Sequence, residues 1–222
     1  MTTPQISFTE ENYIKAIYHL SGNGDNEVFT NDIAEILKTK PASVTDMYKK
    51  LAQKNLIHHV KYQGVTLTEG GKKIALLVVR KHRLWEVFLV EKLKFNWDQV
   101  HEVAEQLEHI HSPLLIQRLD DFLGFPQYDP HGDPIPDETG TMTIARKKSL
   151  SEAEVGEKGM VVGVQDTNPI FLKHLDKIEI GLKCLIEITD RVEYDGSVEI
   201  LVDKKKRTIV SQQVAQNIFI SC

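Results

Sequence analysis

The sequence predicts a mainly α-helical protein that closes with a small β domain. Three observations predict this. Residues 8–51 hold three short apolar periodicities at helical spacing. Residues 69–110 hold two more. Beyond residue 158, apolar and polar residues alternate in short runs punctuated by Gly163, Gly181 and Gly196. A chain of 222 residues has room for two or three small domains.

The first helix is expected over Phe8–Leu20, with Tyr13, Ile14, Ile17 and Leu20 on one face and Asn12 in its first turn. Thr9 is the expected cap. Gly22–Asn26 reads as a loop, and Thr30 as the cap of a short helix carrying Ile33, Ala34, Ile36 and Leu37. Pro41 suits the first turn of a third helix, whose inner face is Val44, Met47, Tyr48 and Leu51. Leu56–Val60, a turn at Gly64 and Val65–Thr68 then read as strand, turn and strand. Three helices followed by a hairpin predict a winged helix-turn-helix. Its third helix would enter the major groove with Ala42, Ser43, Thr45 and Asp46 near base edges and Lys49 and Lys50 near phosphates. Lys61 would reach the backbone from the wing. The same scaffold is open to a second use, binding another protein.

Thr68 is the expected cap of a long helix from Glu69 to about Leu93, whose excess of apolar positions suits contact with a second copy of the chain. His82 and Glu86 stand one turn apart on it. A further helix is expected from about Trp97 to Ile110. On it His101, Glu105, Glu108 and His109 share one side, and Val100, Val103, Ala104, Leu107 and Ile110 the other. Mixed imidazole and carboxylate donors suit borderline divalent ions such as manganese and ferrous iron. Such pairs also occur as ordinary surface residues of amphipathic helices.

Charge points the same way without deciding it. Residues 79–145 carry six Lys/Arg against twelve Asp/Glu, and five of the nine histidines. The flanking segments are close to balanced, so the middle holds the whole negative excess behind the net charge of −5. An acidic, histidine-rich segment fits cation binding, and equally a solvated acidic surface. The two cysteines, Cys184 and Cys222, form no CxxC pair, which argues against a thiolate zinc site or a disulfide scaffold. No uncharged run approaches a membrane span and no basic-then-apolar leader opens the chain, so a cytoplasmic location is expected. Residues 125–140, FPQYDPHGDPIPDETG, read as a linker. Past it, segments near 159–164, 183–188, 197–202 and 208–210, with a short helix over Phe171–Ile178, predict a small barrel of about five strands. The run Lys204–Arg207 reads as a solvated turn or an auxiliary phosphate contact.

Six segments, in this order and spacing, carry a more specific likeness: TEENYIKAIYHL, DIAEILKTKPASVTDMYKKLAQKNLI, LTEGGKKIA, RKHRLWEVFL, VHEVAEQLEHI and DPHGDPIP. The chain resembles the iron- and manganese-dependent repressors of the diphtheria toxin repressor family over residues 8–136, and residues 150–220 resemble the third domain of its longer members. The resemblance implies a winged-helix DNA-binding domain at 1–72, a helical dimerisation and metal-binding domain at 73–140 and an SH3-like domain, of the FeoA kind, at 148–222. It implies a homodimer that binds double-stranded operator DNA when loaded with Mn(2+) or Fe(2+).

By the same resemblance, His82, Glu105, Glu108 and His109 match the activating metal site, and Asn12 a further ligand position. Glu105 matches a position that is cysteine in iron-type and glutamate in manganese-type members, which tilts the expectation toward manganese. His82, Glu86 and His101 also match an ancillary site, so His82 has two expected roles. Longer manganese-type members suggest another second site, from Glu86, Asp129, His131 and an acid of the third domain, for which Asp166 is the candidate. Two positions depart from the pattern. Asn12 offers only a neutral oxygen, and Lys15 stands where two-domain manganese-type members place a glutamate ligand. Two other functions remain to be set against repression by metal: a DNA-binding regulator indifferent to metal, and a metallohydrolase. The absence of a nucleophile motif and of HExxH argues against the enzyme.

Overall fold

The computed structural model describes residues 6–24, 26–60, 63–142 and 146–221. Lys61 of the expected wing and Cys222 lie outside them.

Helix α1 is Phe8–Leu20. Its cap is Ser7, not Thr9. The Ser7 hydroxyl accepts the Glu10 N–H, and the Glu10 carboxylate accepts the Ser7 N–H at 2.8 Å, a reciprocal box that satisfies two end donors. Helix α2, Thr30–Ile36, begins at Thr30 itself, so that residue is helical and Phe29 precedes it as the cap. Asp32 takes over the capping work by accepting the Phe29 N–H. Helix α3, Pro41–Gln53, starts on its proline as expected. Strands β1 (Ile57–His59) and β2 (Val65–Leu67) form the antiparallel hairpin. Ile14, Ile17, Val44, Tyr48, Leu51 and Val65 make the core beneath these elements. Burying these large side chains, at about 1.5–3 kcal/mol each, is what fixes α3 against α1.

Helix α4, Glu69–Glu91, is capped by Thr68, whose hydroxyl accepts the Gly71 N–H at 3.0 Å. Gly71 has no room for a side chain: a Cβ there would fall 2.0 Å from the Leu56 carbonyl oxygen. Helix α5 is Val100–Leu107, shorter at both ends than the periodicity suggests. Asn96–Gln99 form a turn instead of a first helical turn, and the chain leaves the helix before Glu108 and His109. Helix α6, Pro113–Leu123, was not anticipated. The apolar run Leu114–Ile116 hides its periodicity, although Pro113 opens it just as Pro41 opens α3.

The C-terminal region is a six-stranded antiparallel sheet rather than five strands. Its strands are β3 (Lys147–Ser149), β4 (Lys158–Val164), β5 (Leu185–Arg191), β6 (Val198–Val202), β7 (Lys206–Val210) and β8 (Ile218–Ser221), ordered β3-β8-β4-β5-β6-β7. Helices α7 (Pro169–Ile178) and α8 (Gln212–Gln216) complete it. Leu172, Leu175, Ile186, Ile188, Val198 and Ile200 fill its core. Lys204 sits in the β6–β7 turn, while Lys206 and Arg207 already belong to β7.

By compactness the chain forms two units. One comprises Met1–His82, Glu105–Pro113 and Pro136–Met142; the other comprises Arg83–Ala104, Leu114–Ile135 and Thr143–Cys222. Among the described residues, each contains a cluster of acidic and histidine side chains.

Candidate metal centre

In the first unit, α1 carries Glu11, Asn12 and Lys15, α4 carries His82, α5 carries Glu105, and the turn after α5 carries Glu108 and His109. Glu108 is the hub and is fully buried. Its carboxylate lies 2.6 Å from His82 Nδ1 and accepts hydrogen bonds from Lys15 Nζ at 2.7 and 2.8 Å. Glu105 accepts a further bond from Lys15 at 2.5 Å. Each of His82, Glu105 and Glu108 can turn one ligand atom toward a common point, with these atoms within 4.8 Å of one another. His109 Nε2 lies 3.8 Å from Glu108, while its Nδ1 is 2.7 Å from Glu11. A carboxylate on Nδ1 fixes the proton there and leaves Nε2 as a lone-pair donor facing Glu108. Lys81 holds Glu11 from its other side at 3.0 Å, and Phe8 stacks on the rings of His109 and His111. The buried Asn12 Oδ1 has no hydrogen-bond partner among the described residues. A buried carbonyl oxygen without a donor is a standing cost that a cation would relieve.

Glu11, Lys81 and Phe8 were absent from the sequence reading. Glu11 is the more instructive omission. Its partner His109 is 98 residues away, so no spacing within a helix points to it.

The second cluster lies in the other unit and consists of Glu86, Asp129 and His131, all buried. His131 Nδ1 is 3.6 Å from Glu86, and His101 Nδ1 is 3.5 Å from the same carboxylate on its exposed side. The segment expected as a linker is an ordered loop. Asp129 Oδ1 accepts the N–H groups of His131 and Asp133 at 2.8 and 3.0 Å, and the His131 carbonyl accepts the Val164 N–H of β4. Gly132 is obligatory there: its φ is +85°, and a Cβ would fall 1.9 Å from the Val162 carbonyl oxygen. Burial pushes the Asp129 carboxyl up, and Glu86 and Asp133 push the same way against Arg83. Burial alone would lower His131, but the Glu86 and Asp129 carboxylates raise it to about 9. Asp166 does not join this group. It is exposed and accepts the Asn168 N–H at 2.8 Å ahead of α7.

On α3, Ala42, Ser43, Asp46, Lys49 and Lys50 are exposed, and Thr45 is partly covered. Thr45 donates back to the Pro41 carbonyl, and Lys49 pairs with Asp46 at 2.9 Å. Small residues at the start of the helix and lysines farther along form a surface suited to a groove and its phosphates.

A winged helix joined to helices that carry a buried carboxylate–imidazole cluster defines a class, the metal-responsive DNA-binding regulators. Comparison with known proteins makes that class specific. Residues 5–65 match the N-terminal DNA-binding domain of the iron dependent repressors, residues 68–137 their metal binding and dimerisation domain, and residues 148–222 the FeoA domain. The iron-dependent repressor IdeR of Mycobacterium tuberculosis is 28% identical over 202 residues, 91% of this chain and 80% of its own length. The regulator MntR of Geobacillus thermodenitrificans is 37% identical over 58% of this chain and 87% of its own. A solved manganese-dependent transcriptional repressor in complex with manganese is 34% identical, covers 96% of this chain and 99% of its own, and superposes with a TM-score of 0.82. The chain belongs to the iron dependent repressor family, a family of metal-dependent, DNA-binding transcriptional repressors and not of enzymes.

Proposed function

We propose that this repressor responds to manganese in preference to ferrous iron and that the cluster around Glu108 is its activating site. The carrying observation is the convergence on the buried Glu108 carboxylate of His82, Glu105 and His109, with Glu11 fixing the imidazole of His109. Glu105, Glu108, His109 and His82 would hold the ion, with Asn12 Oδ1 as a further oxygen. The oxygen-rich set favours manganese or ferrous iron over ions that prefer sulfur, and the carboxylate at Glu105 tilts it toward manganese. Glu86, Asp129 and His131, with His101 at the exposed edge, would form a second site, and Asp166 stands outside it.

Bound at the first cluster, a divalent ion supplies a fixed double positive charge shared by α1 and the end of α5. Asn12 lies on α1, and α1 packs with α2 and α3 in one core. The ligands therefore bias where the reading helix stands, and an ion that binds one placement better shifts the population toward it. In a homodimer joined through residues 73–140, two copies of α3 would then meet two half-sites about one turn of DNA apart, or a multiple. Residues 1–72 would read the DNA, through Ala42, Ser43, Thr45 and Asp46 at base edges and Lys49, Lys50 and Lys61 at phosphates, and residues 148–222 would form the accessory domain. The expected outcome in the cell is repression, in the cytoplasm, of genes for metal uptake when the metal is plentiful.

The test is a titration of manganese into the full-length protein with palindromic operator DNA. Operator affinity should rise with metal, and wild type should exceed both Glu105→Ala and His109→Ala. Glu105→Cys should keep the fold and shift preference toward softer ions. Operator binding that ignores manganese would overturn the proposal, as would wild-type metal affinity in Glu105→Ala.

A further inference from the structure

Lys15 lies at the centre of the cluster that a cation is expected to enter. Its ammonium donates to Glu105 at 2.5 Å and to both oxygens of Glu108 at 2.7 and 2.8 Å. The side chain is only 12% exposed, so this is no surface pairing. Three of the four oxygens of the two carboxylates are thus already bound to a positive charge that the chain carries itself.

We propose that Lys15 is a tethered competitor of the activating ion: metal must drive its ammonium off Glu105 and Glu108, and this sets the concentration at which the repressor responds. The inference rests on the proposed activating site. Charge counting supports it. Glu105 and Glu108 supply two negative charges, and Asn12 supplies none. One divalent ion with the lysine withdrawn leaves the group neutral. One ion beside a retained ammonium, or two ions, leaves a positive excess in a buried place, where like charges repel far more than in water. Lys15 can withdraw because its charge sits on a flexible four-carbon stem. Glu105, whose side chain is 36% exposed, marks the open side of the cluster. Lys15 therefore does two things. It satisfies the two carboxylates when metal is scarce, and it competes with an incoming ion for them.

The test uses the full-length chain and manganese chloride alone, with calorimetry, metal content after desalting and melting temperature as readouts. Lys15→Met keeps the stem and removes the charge. It should bind manganese about tenfold more tightly or better than wild type, given the strength of short-range repulsion in a buried site. Its metal-free melting temperature should fall, and the rise on adding manganese should exceed that of wild type. Lys15→Arg keeps a cation and should gain no affinity. Should Lys15→Met not fold, Lys15→Gln carries the same expectation of tighter binding. Unchanged or weaker manganese binding by the neutral variants would overturn the proposal, as would a tenfold gain in Lys15→Arg. Glu108→Ala separates the two levels of the argument. If it binds manganese like wild type, the activating-site assignment fails and the inference with it. If it loses metal while Lys15→Met matches wild type, the inference alone fails.

Discussion

Around Glu108 the balancing positive charge comes from lysines: Lys15 on the two ligand carboxylates and Lys81 on Glu11. Around Glu86 it comes from a proton on His131, and Arg83 lies 3.5 Å from Asp129. Both clusters bury acids beside imidazoles, and neither leaves the acids uncompensated. They would differ in what an incoming ion had to displace. In the first, as proposed above, it would be a whole ammonium on a long stem, anchored in α1. In the second it would be a proton from a histidine whose loop is pinned to β4 by the Val164 N–H. The first cluster shares a compact unit with α3, whereas the second ties an ordered loop to the C-terminal sheet.

The largest expected effect breaks the symmetry between the two. Glu108→Ala removes the buried carboxylate that meets Lys15, His82 and His109. It should lower manganese affinity at the first cluster by more than about a hundredfold, the upper end for losing a group that only orders a ligand, and abolish metal-dependent operator binding. Asp129→Ala should leave operator binding responsive to manganese. Equal loss of response in both variants, followed by fluorescence anisotropy on operator DNA, would show that the clusters act as one switch.

Helical spacing suggests one side holding His101, Glu105, Glu108 and His109; α5 instead ends at Leu107, Glu108 and His109 follow it in a turn, and His101 stands beside Glu86. His82 was legible, but not its allegiance, since two sites claimed it; its Nδ1 lies 2.6 Å from Glu108. Lys15 stood out as a departure from the family pattern, yet its destination was hidden, because its partners lie 90 and 93 residues away. Glu11 was hidden for the same reason. In the fold, β3 was missed because Lys147–Ser149 is polar and short, and its pairing with β8 depends on a partner 70 residues downstream. Thr9 and Thr30 were plausible caps by type, but capping is settled by which side chain reaches a free N–H, and Ser7 and Asp32 did so. Asp129 and His131 were legible as an Asp-Pro-His turn. Their burial was not, since a segment rich in proline and glycine reads as exposed linker until Gly132 is seen against Val162.

The next effect is smaller and sharpens the account of the first cluster. Glu11→Gln keeps a hydrogen-bond acceptor for His109 Nδ1 and removes the charge. Manganese affinity should fall about tenfold, the lower end for altering a partner of a ligating histidine. Calorimetry would register it, and an unchanged affinity would mean that a hydrogen bond without the charge of Glu11 suffices to orient the ring.

The proton at the second cluster gives a dependence on pH. His131 is raised from 6.5 to about 9 by Glu86 and Asp129 against the opposing effect of burial. A group raised on folding contributes stability that is fully present below its ordinary value and lost as pH rises through its folded value. The metal-free wild type should therefore be more stable than His131→Gln near pH 6, and the gap should shrink as pH passes about 9. Melting curves of the two proteins across that range would check it, and a gap that widened with pH would contradict the assignment of the proton to His131.

The smallest effect lies outside both clusters and acts as their control. Lys49 is exposed on α3 and paired with Asp46 three residues earlier, with both side chains more than half exposed. Such a pair holds the lysine loosely, so a phosphate can take it over, and each phosphate so neutralised releases counterions from the DNA. Lys49→Ala should reduce the slope of log affinity against log salt by about 0.9 and weaken specific and random DNA alike. Metal affinity should not change, because no ligand touches Lys49. Thr45→Ala, by contrast, should alter preference among operator sequences while leaving the salt slope alone. Operator titrations at several salt concentrations, with and without manganese, separate these outcomes. If Lys49→Ala weakened binding only in the metal-loaded protein, the lysine would be part of the switch, and the division between a metal-sensing cluster and a reading helix would have to be redrawn.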